Sequence, residues 1–314
     1  MAVFLIILFV IIIILFAAAY FFNLAFVRRN NPNTDDIDSK ENDFLKEYRT
    51  VIKEGLDYIE RHPKKWVYTL SFDGLKLAAR FFDNNSHKAI ILFHGYRSSA
   101  TRDFSCAVKM YCELGYNILL VDERSHGQSE GKLITFGVKE RKDVLTWVNY
   151  YLKYIDSDAE IFLGGMSMGA TTVLLAAGLE LPNNVKGIIA DCGFTSPADI
   201  MNKVARQAFH FNAGFILPVM DIFCRIFGHF GIYGVSTLEA LKKTRLPILF
   251  IHGKNDNFVP CEMSESAYRS AAGDKYILTV EGADHGMSYL LASKDVSEKI
   301  IGFLKKYSKK QTPN

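Results

Sequence analysis

The chain has 314 residues, 49% of them apolar and 23% charged, with a net charge of +3; the length leaves room for one large domain or two small ones, and the composition excludes a mainly disordered chain. Its 37 basic and 34 acidic residues nearly cancel, so the electrostatic footprint that a nucleic-acid partner needs is missing. Five cysteines, Cys106, Cys112, Cys192, Cys224 and Cys261, are odd in number and form no C-x-x-C pair, which speaks against a disulfide framework or a structural zinc site and for a reducing compartment.

Residues 2–22 carry no charge and are almost entirely Ile, Leu, Phe, Val and Ala, and about 20 such residues carry a helix across the hydrocarbon of a bilayer. The expectation is a membrane anchor over residues 1–27. A cleaved signal peptide, with Ala17-Ala18-Ala19 as its processing site, is the alternative, but such peptides place basic residues before a shorter apolar run. Arg28 and Arg29 follow the span, and positive charge prefers the cytoplasmic side, which predicts a single-pass protein of the cell membrane with its body in the cytoplasm. Residues 28–43 are polar, with Pro32, Asp35, Asp36 and Asp38, and read as a tether. Leu45, Tyr48, Ile52, Leu56 and Ile59 then recur every three or four residues, which predicts an amphipathic helix over 44–61, ended by Pro63 and packed on the body.

Two strand-like runs, 66–72 and 75–82, flank Asp73-Gly74, a dipeptide suited to a tight hairpin turn. Apolar runs at 89–93, 117–121, 160–164, 185–190, 247–251 and 276–280 then alternate with helix patterns near 102–114, 138–154, after Ser167, near 261–272 and up to 307. Strands buried on both faces and separated by helices predict an α/β fold, a mostly parallel sheet flanked by helices, over residues 44–310. Residues 193–235 break the alternation just after the strand ending near Asp191 and read as an inserted helical cap. Its rings, Phe194, Phe209, Phe211, Phe215, Phe223, Phe227, Phe230 and Tyr233, suit either the cap's own core or the lining of an apolar cleft. On the second reading Phe211 and Phe215 contact the substrate.

Gly165-Met166-Ser167-Met168-Gly169 lies between a strand and a helix, the context of a G-x-S-x-G nucleophile elbow. Ser167 must sit on a strained turn for its hydroxyl to project, and the flanking glycines remove Cβ atoms that would collide there. A serine hydroxyl needs a base, and the base an orienting carboxylate. His285, in the loop after the last strand, is the candidate base; Asp256, after the preceding strand, is the candidate acid, with Asp191 and Asp284 as rivals. An oxyanion also needs backbone donors, worth roughly 3 kcal/mol each. Met168 offers one and Tyr96, in His94-Gly95-Tyr96, the other; His94 reads as a brace of that turn rather than as a second base.

Taken together, HGY at 94–96, GMSMG at 165–169, HGKND at 252–256 and GADHG at 282–286 resemble the α/β-hydrolase superfamily over residues 67–308. Asp122 to Ser129 resembles that superfamily's D-x-R-x-x-G-x-S segment, whose Asp and Arg brace loops. Within the superfamily the chain looks most like bacterial membrane-anchored serine hydrolases of the serine aminopeptidase-like, S33-type group, related to a eukaryotic lineage that includes protein depalmitoylases. The resulting expectation is a serine hydrolase that cleaves an acyl ester or thioester of a small or lipid-like substrate through an acyl-enzyme, with no metal or organic cofactor. A serine peptidase would want acidic groups in the cap to hold a substrate amine, and the cap offers Asp199 and Asp221. The remaining alternative is a catalytically silent binding module on the same scaffold.

Overall fold

The computed structural model describes residues 1–29, 34–210 and 212–308, with only the backbone described for Glu41, Phe44 and Phe209. Phe211 and part of the 28–43 segment therefore lie outside the described residues. The apolar runs form one sheet of eight strands in the order β1-β2-β4-β3-β5-β6-β7-β8. The opening hairpin pairs β1 (Lys65–Leu70) with β2 (Lys76–Phe82) around Gly74, whose φ of +85° only glycine adopts without strain. β2 lies antiparallel to β4 (Asn117–Asp122), and every pairing beyond it is parallel: β3 (Lys88–Phe93), β5 (Glu160–Met166), β6 (Val185–Asp191), β7 (Ile248–Gly253) and β8 (Lys275–Val280).

Helices cover both faces because β3 to β7 bury side chains on both. One core layer packs Trp147 and Tyr151 of α4 (Glu140–Tyr154), with α5 (Met168–Ala176) and α9 (Cys261–Ser270), against Phe81, Phe93 and Phe250. The other packs α3 (Ala100–Glu113) and α11 (Ser293–Tyr307) against Ile90, Leu120 and Phe162, and Ile59 of α2 (Arg49–Arg61) joins it. A short helix, α10 (Ser288–Leu291), precedes α11. Between β6 and β7 the chain forms α6 (Pro197–Phe209), α7 (Leu217–Gly228) and α8 (Thr237–Leu241). Ser196 and Ser236 cap α6 and α8 by accepting from the backbone of Asp199 and Leu238.

Two expectations for the N-terminal region need correction. The helix predicted over 44–61 begins only at Arg49; residues Lys40–Tyr48 form a tighter 3-10 coil. Side chains from this stretch and from Arg49 tie it back to the segment before it: the Asn42 amide donates to the carbonyl of Asp36 at 2.8 Å and the Arg49 guanidinium to that of Ile37 at 3.2 Å. Nor is the described part of the 28–43 segment a free spacer. Ile37 is buried against Leu45 and Ile52, Asp35 accepts from the hydroxyls of Ser99 and Thr101, and Arg102 donates to Asn42 at 2.8 Å.

The first helix, α1 (Ala2–Phe26), is long and apolar enough to cross a membrane by length and composition. Its far end stands free, while Ala18 and Phe26 are buried in the cluster that includes Phe194, Leu217 and Phe230. Beyond it Val27 bridges Leu133, the Arg28 N–H donates to the Lys132 carbonyl at 2.8 Å, and the Ile134 N–H donates to Phe26 at 2.7 Å. The Arg28 guanidinium donates to the carbonyls of Ser129 and Gly127 at 2.6 and 2.7 Å.

Candidate functional site

The turn from β5 into α5 holds Ser167 at φ 54° and ψ −112°, a conformation rarely tolerated by a residue with a side chain. Close packing imposes it. A Cβ on Gly165 would collide with the Gly169 carbonyl, and one on Gly169 with the Phe93 carbonyl at the end of β3. The Ser167 N–H donates to the Asp191 carbonyl at 2.8 Å, which ties the turn to β6.

The Ser167 hydroxyl lies 2.9 Å from Nε2 of His285, whose Nδ1 lies 2.7 Å from Oδ2 of Asp256. An ionised carboxylate only accepts, so Nδ1 carries the imidazole proton and Nε2 is free to accept from the serine. Oδ1 of Asp256 accepts the N–H groups of Phe258 and Val259 at 2.9 and 2.7 Å. Burial disfavours the Asp256 charge, yet the hydrogen bonds from His252 and His285 outweigh it and hold the carboxyl down at about 2.

The rival acids are engaged elsewhere. Asp284 accepts the backbone N–H of His285 at 2.8 Å and of Asn257 at 3.1 Å. Asp191, at the end of β6, meets the Ser288 hydroxyl at 3.5 Å, and burial pushes its carboxyl up to about 6. His94 is fully buried; its Nε2 accepts the Glu123 N–H at 3.1 Å, so Nδ1–H donates to the Gly95 carbonyl at 2.8 Å. Burial keeps it neutral, with a pKa lowered to about 4.

Gly95 brings the turn after β3 against the serine: a Cβ there would stand 3.4 Å from Ser167 Cβ and 3.3 Å from the Asp103 carboxylate, which already holds the Gly95 N–H at 2.8 Å. Among the described residues the N–H groups of Tyr96 and Met168 have no protein acceptor. The Asp122–Ser129 loop forms a brace. Arg124 donates to Asp143 at 2.6 and 2.7 Å and to Asp73 at 3.0 and 3.1 Å, and Asp122 accepts the Gln128 N–H at 2.8 Å.

Sequence reasoning missed a second imidazole. His252, fully buried at the end of β7, shares Oδ2 of Asp256 through Nε2 at 3.1 Å, also meets the Val259 carbonyl at 2.9 Å, and turns Nδ1 to the Ser264 hydroxyl at 2.6 Å. The only signal was its place four residues before the acid in HGKND. Phe258 was missed as well; its ring packs edge-on against His285 with centroids 5.1 Å apart. Cys192 places its sulfur with Asp256 and His285, their ligand atoms all within 4.8 Å. Burial raises its thiol pKa well above the ordinary value, and both His285 nitrogens are already engaged, so the trio does not fit a metal.

Two cavities share Ser167. One, of about 350 Å³, runs beneath α3 and takes in Arg102, Asp103 and His285. The other, of about 340 Å³, lies under α6 and α7 and is apolar. The expected phenylalanine lining of the second is corrected by the structure. Of the cap's rings Phe194 lines it, whereas Phe215 is 83% exposed, Phe223 and Phe227 pack toward Phe22 of α1, and Phe230 packs on Phe26. The cap's other contributions are aliphatic side chains and methionines, among them Ile200, Met201, Val204, Leu217 and Met220.

Residues 84–222 match the family described as serine aminopeptidase, S33, and residues 234–313 the family described as TAP-like protein. The protein YqkD of Bacillus subtilis is 31% identical over 206 residues, covering 66% of this chain and 67% of its own. Protein bem46 of Schizosaccharomyces pombe is 26% identical over 56% of this chain and 53% of its own. Among solved structures, the esterase Pf2001 of Pyrococcus furiosus superposes with a TM-score of 0.62 at 23% identity, covering 78% of this chain and 93% of that one.

Proposed function

The chain belongs to the α/β-hydrolase superfamily, among proteins of the S33 serine aminopeptidase-like type, and on that premise we propose that it is a serine hydrolase that cleaves acyl esters or thioesters through an acyl-enzyme. The observation that carries this reading is the unbroken hydrogen-bond chain from Ser167 through His285 to Asp256 at the strained turn after β5.

In this mechanism His285 Nε2 takes the Ser167 proton as Oγ attacks the acyl carbonyl, and the imidazolium is held by the Asp256 carboxylate. The N–H groups of Tyr96 and Met168 receive the oxyanion. His285 then gives the proton to the leaving alcohol or thiol, and a water activated by the same nitrogen releases the acid. The acyl chain occupies the apolar cavity under the cap, and the leaving group the cavity beneath α3. An amine-bearing peptide substrate is less well served. Asp199 is held by the Thr195 hydroxyl at 2.6 Å, and Asp221 by Arg225 and the Ile232 N–H at 2.7 and 2.6 Å. On this reading α1 anchors the protein as a single span with the body on the cytoplasmic side, the sense favoured by Arg28 and Arg29.

The test uses the full chain with a fluorophosphonate probe and with p-nitrophenyl esters, acyl-CoA thioesters and aminoacyl anilides. Labelling that disappears in Ser167→Ala, together with turnover of esters or thioesters above anilides, is expected. Labelling that persists in Ser167→Ala would overturn the assignment, and anilides turned over faster than every ester would overturn the substrate class.

A further inference from the structure

The apolar cavity beside Ser167 has a wall that the α/β body does not supply. Phe21, Leu24 and Ala25, from the last turns of α1, line it together with Ile200, Met201 and Leu217 of the cap. Polar bonds hold α1 in that position. The Tyr96 hydroxyl donates to the Ala25 carbonyl at 2.8 Å, and the Arg97 guanidinium donates to those of Leu24 and Val27 at 2.6 and 3.2 Å. The end of a helix leaves such carbonyls without partners inside the helix. Here the turn that follows β3, the same turn that presents the Tyr96 N–H beside Ser167, caps the end of α1.

The rest of α1 faces outward. Its residues from Val3 to Ile13 are exposed and apolar, and Tyr20, near the docked end, is exposed too. At 1.5 Å per residue its 25 residues extend about 37 Å, several ångströms more than the ~30 Å of bilayer hydrocarbon. With α1 as a span, that excess sets its last turns, the ones that carry the cavity wall, at the boundary between acyl chains and headgroups. α7 continues the apolar surface at that level. Its Ile222, Ile226 and Phe227 are each more than half exposed, and the rings of Phe223 and Phe227 lie 6.1 Å from that of Phe22. An apolar helix face beside a span, with aromatic rings at its edge, suits the bilayer interface.

We infer that the substrate's acyl chain passes to Ser167 directly from the bilayer leaflet, between α1 and the α6–α7 cap, with Leu24 as a specificity-determining residue of the pocket wall. The inference rests on the reading of the protein as a membrane-anchored acyl hydrolase. A chain that moves from hydrocarbon into an apolar cavity never crosses water, so transfer out of water contributes little to its selection. Selection then falls to the fit of the wall.

The experiment uses the full chain in phosphatidylcholine vesicles and reads the ratio of kcat/KM for p-nitrophenyl laurate to that for p-nitrophenyl acetate. Leu24→Trp should lower the ratio about tenfold or more, within the range that a change in an apolar pocket of a methylene or two produces. Leu24→Ala adds no bulk and keeps the test open if the tryptophan disturbs folding; it should lower the ratio roughly threefold through lost contact with the wall. Val10→Trp, on the exposed part of α1, should leave the ratio unchanged. An unchanged ratio in the Leu24 variants overturns the inference and leaves the hydrolase reading intact. A wild-type chain that cleaves neither ester and takes no fluorophosphonate removes the hydrolase reading itself.

Discussion

The two sides of Ser167 are built by opposite means. Toward His285 every polar atom is directed: Asp256 alone accepts from His285, His252, Phe258 and Val259. Toward the cap the serine meets a cavity lined chiefly by apolar side chains, among them those of α1, α6 and α7. Directed bonds set what chemistry the site performs and tolerate almost no displacement. Dispersion and hydrophobic contacts set which substrate is held there, and they change by degrees. Variants on the first side should therefore act as switches, and variants on the second as adjustments.

The largest effects belong to the directed side. Ser167→Ala and His285→Ala should each lower kcat by roughly 10⁵-fold or more, and the double variant should lose little beyond either single one, because the groups act as a unit. Multiplicative losses in the double variant would show that the two sides of the bond chain work independently. Asp256→Asn should follow at about 10⁴-fold, since the amide favours the wrong imidazole tautomer.

His252→Asn probes the same carboxylate from the buried side. It leaves Ser264 and Val259 with unmatched groups and should cost on the order of 2 kcal/mol in urea unfolding, with a smaller loss of turnover than Asp256→Asn. Equal turnover losses would make His252 as important to the reaction as the acid itself. On the apolar side, Ile200→Ala should lower the laurate-to-acetate ratio of kcat/KM severalfold, because the shortened wall loses dispersion contacts with the longer chain and leaves a gap beside it. A large fall in acetate turnover in that variant would break the division between the two sides.

The smallest effect on turnover is expected for Asp191→Asn, a buried carboxyl outside the bond chain. Its pKa of about 6 in the fold exceeds the ~3.9 of an unfolded aspartate, so the folded state binds the extra proton between those values. Stability of the wild type should thus decline as pH rises from about 4 to about 6, and the Asn variant should lack that part of the decline. Denaturant midpoints across that range check it, and an unchanged slope would mean that Asp191 is ionised in the fold.

The strand–helix alternation was legible because burial on both faces of a parallel strand leaves a continuous apolar run, and the ends of β3 to β8 fell within a few residues of expectation. The expected partners Ser167, Asp256 and His285 were legible for a related reason. Each sits on a short turn at the end of a strand, and short turns leave local spacings such as GMSMG and HGKND. The 3-10 coil at Lys40–Tyr48 was not, because a three-to-four-residue apolar spacing suits a 3-10 turn as well as an α-helical one, and it cannot register the bonds that tie Asn42 and Arg49 back to Asp36 and Ile37.

By itself the sequence determined the α/β class, the serine, imidazole and carboxylate supplied at the strand ends, and a first helix apolar enough to span a membrane. Only the tertiary structure decided that His252 shares the acid, that Phe215 faces outward while Phe194 lines the cavity, and that the end of α1 is bonded to Tyr96 and Arg97. Those outcomes depend on side-chain packing and carbonyl capping between distant parts of the chain, such as Arg97 and Leu24, 73 positions apart. Such contacts have no period and no fixed spacing, so they exist only once the chain has closed on itself.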